Sequence, residues 1–430
     1  MHTASLLLFA ALAVGAAPTA FGANDLLDIF RLAAQADATL QAARADLDAA
    51  RESGPIARSA RQPQAMLSGS STLIASDAET GNGSRHQYAV QLTQTLYDNR
   101  LDANVQLADA TIRQAQAQYA ASEQSLILRV AQAYFDVLGA QDTLVFANTD
   151  QAAIERQLEQ AQKRYEVGLI AITDVHEAQA RFDLATAAQI TAQNTVDAAL
   201  AALQVIIVER PGALKIMTDQ LTLAPPDPAD LDAWIARAET GNLTLIAAND
   251  NAQRARVNIR AQGFDNHPTV NLVIAHSHTE TFGDRSGGNT DNTVGVQLNW
   301  PLHTGGAGAA RVRQAEHQLT AALAAAAQTR RGVIQQTSDA YRGVLAGISR
   351  VKALQQAVVS NTSALEATEA GFDVGARTIV DVLNAERNLG SAIRDFKRAR
   401  YDYVLATLSL KQAAGDLAVT DLATVNRWLN

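Results

Sequence analysis

A chain of 430 residues with a formal net charge of −9, no cysteine and only 5% aromatic and 18% charged residues excludes several classes at once. There can be no disulfide, thiolate metal site, thiol nucleophile or lipidated N-terminal Cys, and the acidic balance argues against a phosphate-binding surface and hence a nucleic-acid partner. With abundant Ala and Gln and few large side chains, long thin helical packing suits the composition better than a wide globular core.

Residues 1–22 read as a secretory leader. Leu6 to Val14 is a short apolar run, and Ala20-Phe21-Gly22 places small side chains at the positions a signal peptidase needs, predicting cleavage before Ala23. Its n-region, MHTAS, has no Lys or Arg. The apolar run falls short of the ~20 residues that span a bilayer, and no such run is expected later. Any membrane entry is therefore expected to use β-strands.

Two strand-like runs come next, about 64–76 and 87–97. In the second, Tyr88, Val90, Leu92 and Leu96 alternate with Gln87, Gln91, Thr93 and Thr95. A Pro-free stretch rich in Ala, Gln, Leu and Glu, Leu101 to Tyr165, predicts one helix of roughly 90–100 Å at ~1.5 Å per residue. Gly139, and Gly332, Gly343 and Gly347 in the later counterpart, leave open a bundle of shorter helices. A Val-Gly pair, Val167-Gly168, then breaks the pattern and Thr173-Asp174 restarts it, so 167–174 reads as a hairpin tip with Asp174 near a helix N-terminus.

The order then repeats. VGLIAITDVHEA from Val167 returns as VGARTIVDVLNA from Val374, and Val90-Gln91-Leu92 as Val296-Gln297-Leu298. Two copies are expected, 23–215 and 231–430, joined by a Pro-rich linker at 216–230. The second copy has strands at about 269–280 and 293–302, a helix from Arg311 to Phe372, and a tip at 374–381. Val294, Val296, Leu298, Trp300 and Leu302 share one strand face, opposite Thr293, Gln297 and Asn299. Ten-residue strands with one apolar and one polar face match outer-membrane barrel strands, although a soluble two-faced sheet carries the same pattern. The polar, Gly-rich strings GNGSRH and GDRSGGNT suit external loops. Four strands cannot close a membrane barrel: two chains would give eight strands and a filled barrel, and three would give twelve and a lumen.

The string QLEQAQKRYEVGLIAITDVHEAQARFD from Gln157, with EAGFDVGARTIVDVLNAERNL from Glu369, resembles TolC-type outer-membrane efflux proteins. The similarity extends through LTQTLYD near Leu92 and LILRVAQAYFDVL from Leu126. The resemblance implies a homotrimer whose 12-stranded outer-membrane barrel continues into the periplasm as a long α-helical barrel. It further implies an exit duct for a tripartite efflux pump or type I secretion system, partnered by a periplasmic adaptor and an inner-membrane RND, ABC or MFS transporter. Outer-membrane lipid would meet Val90, Leu92, Val294, Val296, Leu298 and Trp300. Val167, Gly168, Leu169, Val374 and Gly375 would form adaptor-docking tips. Arg377, which replaces Ile170 of the first copy, would join Phe372 to Thr173 and Asp174 in a latch. Phe372 lacks the hydroxyl that relatives place there, which would leave the latch resting on Arg377. Asp381 would project into the pore constriction as a ring of three carboxylates, with Asn384 where relatives often carry a second acid.

Other motifs carry less. His276 and His278 share a strand face, yet the sequence offers no clear third and fourth metal ligands, so they read as surface histidines near an external loop. The Gly-rich string at Gly305 lacks the Lys of a phosphate-binding loop. No catalytic constellation, cofactor or metal is expected. A periplasmic coiled-coil adaptor would account for the leader and long helices but not for four amphipathic strands, and a secreted enzyme leaves the duplication unexplained.

Overall fold

The computed structural model describes residues 24–75, 83–218, 221–283 and 286–430; the expected leader lies outside them. Two short helices, α1 (Leu26–Ala36) and α2 (Ala38–Ser59), precede a hairpin of β1 (Gln64–Ile74) and β2 (Gly83–Tyr97). Then come α3 (Arg100–Glu166) and α4 (Ile172–Ile207). The second half repeats this order with α5 (Leu231–Gly241), α6 (Leu243–Gly263), β3 (Thr269–Gly283), β4 (Gly287–Asn299), α7 (Ala307–Asp373) and α8 (Ile379–Ala414), and ends in α9 (Val419–Asn426). α3 and α7 each run for 67 residues and α4 and α8 for 36.

No glycine breaks the long helices. They hold together by a seven-residue rhythm of buried, mostly alanine side chains: Ala103, Ala110, Ala117, Gln124, Ala131 and Leu138 on α3, answered by Ala178, Ala185 and Ala192 on α4. Burial every 3.5 residues per turn is the coiled-coil period, and it winds paired helices into a left-handed supercoil. Alanine at those positions lets the backbones approach closely. Contrary to expectation, α4 is long and apolar enough to cross a bilayer by length and composition. Its apolarity comes from alanines and is interrupted by Gln193, Asn194 and Asp197, and its buried stripe packs along α3.

The large side chains concentrate where all the helices meet. Leu126, Val130, Tyr134, Phe135 and Leu138 of α3 pack with Leu203 and Ile207 of α4 and Tyr401, Val404 and Leu408 of α8, closed off by α1 and α9. The Tyr134 hydroxyl donates to the Lys215 carbonyl at 2.7 Å, and the Tyr401 hydroxyl to Asp142 at 2.7 Å. Asp37 caps α2, accepting from the Leu40 N–H at 2.8 Å and from both Arg129 terminal nitrogens at 3.0 and 3.1 Å. Burial pushes its carboxyl up, but these donors more than offset that and hold it below the ordinary carboxylate value. The inter-repeat segment is strapped down. It begins after Ile207 rather than at 216, its Thr218 N–H donates to the Trp428 carbonyl at 2.7 Å, and Ala224 exchanges hydrogen bonds with the Tyr403 hydroxyl at 2.9 and 3.0 Å.

The four strands form one antiparallel sheet in the order β1-β2-β3-β4, so β1 and β4 are its edges. β2 and β4 begin earlier than expected, taking Gly83–His86 and Gly287–Thr290 out of the presumed loops, and β4 ends at Asn299 rather than residue 302. A bulge falls between Thr95 and Tyr97. It sets Tyr97, not Leu96, opposite Val270 on the apolar face.

Candidate functional site

Pairing register builds the sheet's apolar face row by row. Leu92, Ile274 and Val294 align across three strands, Leu272 opposes Val296, Val270 opposes Leu298, and Val90 opposes Leu67. Val294, Val296 and Leu298 are 75%, 66% and 61% exposed, an apolar belt that none of the described residues covers. On the other face Gln91 aligns with Ala275 and Thr293, and Asn271 with Gln297, leaving a polar surface. Trp300 lies beyond the strand end, and its indole N–H donates to the Asn266 carbonyl at 3.2 Å. It anchors the strand-to-helix turn instead of continuing the ladder.

At the far end the hairpin tips share one device. The Gly168 N–H donates to the Tyr165 carbonyl and the Leu169 N–H to the Arg164 carbonyl, both at 2.8 Å. In the second tip Gly375 N–H reaches Phe372 at 2.9 Å and Ala376 N–H reaches Gly371 at 2.8 Å. This paired pattern needs a left-handed residue, and Gly168 and Gly375 supply it with φ of 73° and 74°. The turns leave Val167, Leu169 and Val374 exposed at 70%, 68% and 79%.

The tips differ at the start of the returning helix. Thr378 is the N-cap of α8. Its N–H and hydroxyl both donate to Asp381 Oδ2, at 2.9 and 2.8 Å, while the Asp381 N–H donates back to Thr378 Oγ1 at 3.3 Å. This reciprocal cap is written in the sequence as Thr-x-x-Asp, a capping signature. Hydrogen bonds from the Thr378 backbone, then from its hydroxyl, hold the Asp381 carboxyl below the ordinary value of 3.8, with the Arg377 charge adding. The first tip has Ala171 at the N-cap and no side-chain bond, so Asp174 is exposed and untied.

Asp174 lines a groove of about 280 Å³ with Gln157, Arg164, Glu177, Ile379 and Val380, which brings it to the start of α8. Asn384 lines a neighbouring groove with Asp150, Gln157, Arg181 and Arg387. Arg377 folds its aliphatic stem across Gly371, where an added Cβ would meet it at 2.7 Å. Among the described residues neither the Arg377 guanidinium nor the Asp174 carboxylate forms a hydrogen bond or a close ion pair, although the Arg377 charge acts on Asp381 at longer range, and Phe372 and Thr173 add no side-chain hydrogen bond between the tips.

An exposed apolar belt on a sheet joined to helices of about 100 Å defines an outer-membrane channel protein with a periplasmic extension. Comparison with known proteins gives its family. A profile described as outer membrane efflux protein matches residues 29–207 and 234–416. The chain is 38% identical to outer membrane protein TolC of Vibrio cholerae over 98% of both chains, and 34% identical to the Escherichia coli protein of that name over 95% of this chain and 85% of the other. It is 28% identical to the alkaline protease secretion protein AprF of Pseudomonas aeruginosa, covering 93% and 86%. The Campylobacter jejuni CmeC outer membrane channel shares the fold, with a TM-score of 0.77 at 14% identity over 93% of this chain and 89% of that one. This chain belongs to the outer membrane efflux protein family, the TolC-type exit ducts for efflux and type I secretion. It resides in the outer membrane and extends into the periplasm. The family is one of transport channels, not of enzymes.

Proposed function

We propose that three copies of this chain close a 12-stranded barrel in the outer membrane and a continuous α-helical barrel below it. The conduit would passively conduct substrates from an inner-membrane transporter to the exterior. The observation that carries this reading is the four-stranded sheet with an apolar belt and two free edges, β1 and β4. Unpaired backbone groups are not tolerated in hydrocarbon, so each edge must find a strand of another copy. Three copies supply enough strands for a lumen lined by the polar face.

The tips would form the periplasmic gate. Exposed Val167, Leu169 and Val374, set by Gly168 and Gly375, offer an apolar seat for a periplasmic adaptor protein that couples the duct to an RND, ABC or MFS transporter. Arg377 would meet Thr173 and Asp174 of a neighbouring hairpin across the threefold arrangement, with Phe372 packing beside them. Asp381 would ring the constriction, with Asn384 one turn further along α8. Light scattering of the detergent-extracted particle, corrected for bound detergent, tests the assembly. The expected protein mass is three chains; a monomer or dimer soluble without detergent would overturn the duct.

A further inference from the structure

Two histidines of β3 lie on the sheet's apolar side at the end of the belt, His276 in the row of Leu67 and Val90 and His278 one row further toward the loops, and the duct makes no use of them. Register sets His276 between Val90 and Asn292, and His278 between Tyr88 and Thr290. Both side chains therefore leave the same face, about 7 Å apart along the strand. Each ring is held from the next strand: His276 Nδ1 lies 2.7 Å from Asn292 Oδ1, and His278 Nδ1 lies 2.8 Å from Thr290 Oγ1. An amide oxygen only accepts, so His276 Nδ1 carries the hydrogen and Nε2 keeps its lone pair; at His278 the Thr290 hydroxyl orients the ring through Nδ1 and leaves Nε2 without a bond to the strand. The Tyr88 ring, 6.0 and 5.4 Å from the two imidazole centroids, restricts both further.

An imidazole tied at one nitrogen by a neutral acceptor and free at the other is the arrangement of a metal ligand with its orienting partner. We propose that His276 and His278 form a two-imidazole site, one per chain, for a first-row transition-metal cation, with Cu²⁺ bound most tightly and water completing its coordination. Hard cations such as Mg²⁺ and Ca²⁺ prefer oxygen and are excluded. No group of three or more metal-binding side chains exists among the described residues, and the proposed protein ligands are these two histidines. His86, in the next row, is turned away: its Nε2 lies 3.3 Å from Ser84 Oγ and its ring rests edge-on against Phe282. The sequence offered these histidines no ligand role; the paired strand adds the Nδ1 contacts that orient both rings.

The test uses untagged full-length protein in detergent, titrated with CuCl₂ by calorimetry and followed by electron paramagnetic resonance. One Cu²⁺ per chain with hyperfine coupling to two imidazole nitrogens is expected. His276→Ala and His278→Ala should each weaken binding at least tenfold, and His278→Asn, which keeps a polar side chain on the strand, should do the same. Asn292→Ala removes only the orienting acceptor and should cost on the order of tenfold, whereas His86→Ala should change affinity less than threefold. Unchanged binding in the His276→Ala/His278→Ala double variant, or a one-imidazole spectrum, overturns the site.

Discussion

Ala171 and Thr378 occupy the same place in the two hairpins, and the one hydroxyl between them decides what the nearby aspartate can do. Asp381 is bound by its own helix start, while Asp174 is left for a partner outside its hairpin. A carboxyl held below its ordinary value contributes stability that is present above the unfolded value near 3.8 and is lost as pH falls through the lowered one. In the proposed pore, repulsion within a ring of three carboxylates would act the other way. Thr378→Val removes the hydroxyl donor while keeping its bulk, so the pH midpoint of trivalent-cation block in planar bilayers should rise. An unchanged midpoint would mean that the ring alone sets the titration. Val208 offers a separate test: a β-branched residue at φ 65°, closing α4 with its N–H on the Gln204 carbonyl at 2.7 Å and 65% exposed. Left-handed backbone costs such a residue roughly 1–2 kcal/mol. Val208→Gly should therefore raise the unfolding midpoint in denaturant; a lower midpoint would show that the side chain packs against something the single chain lacks.

Where helices end against each other, the chain tolerates no side chain at all. Gly415 terminates α8 at φ 83° against the end of α5, and a Cβ there would stand 2.0 Å from the Gly241 carbonyl oxygen. The Gln124 amide locks the crossing by donating to the Gly415 and Leu417 carbonyls at 2.8 and 3.0 Å. Gly415→Ala should cost well over the ~1 kcal/mol of backbone strain alone and reduce the yield of assembled particle. Gly332→Ala, in the exposed middle of α7 with nothing within 4 Å, should be neutral or stabilise by about 0.5–1 kcal/mol. Equal effects at the two positions would refute the packing account. The same contrast explains what was legible beforehand. A Pro-free Ala/Gln stretch and strict alternation are strong periodic signals, so the long helices and the strand faces could be read directly. The bulge at Leu96 could not, since one inserted residue shifts a face without altering composition. Nor could the strap after Ile207, whose hydrogen bonds join segments about 200 residues apart. The tip glycines were readable because φ near 73° demands them; Gly371 was not, because its reason is the Arg377 stem lying over it.

At the scale of the whole molecule, one protomer is left with complementary loose ends. It has two strand edges, an apolar belt, and two opposite charges on adjacent tips, Arg377 and Asp174, neither held in a close ion pair among the described residues. Closing the sheet around a threefold axis would bring the tips of different protomers together, and the charges give that closure something to hold it. An exposed pair contributes only ~0.5 kcal/mol, so three would favour the closed tip by about 1.5 kcal/mol, roughly tenfold in the closed-to-open ratio. Such a bias would favour the proposed closed tip and remain weak enough for a docking adaptor to overcome. Arg377→Ser should raise single-channel conductance or leak in planar bilayers, and high salt should narrow the difference from wild type by screening the exposed pair. If Arg377 acts through Asp174, Asp174→Asn should open the channel similarly, and the double variant should add little to either single one. Additive effects would assign the two charges to different contacts, and unchanged conductance in Arg377→Ser would leave the closed tip to the apolar packing of Phe372 and Val374.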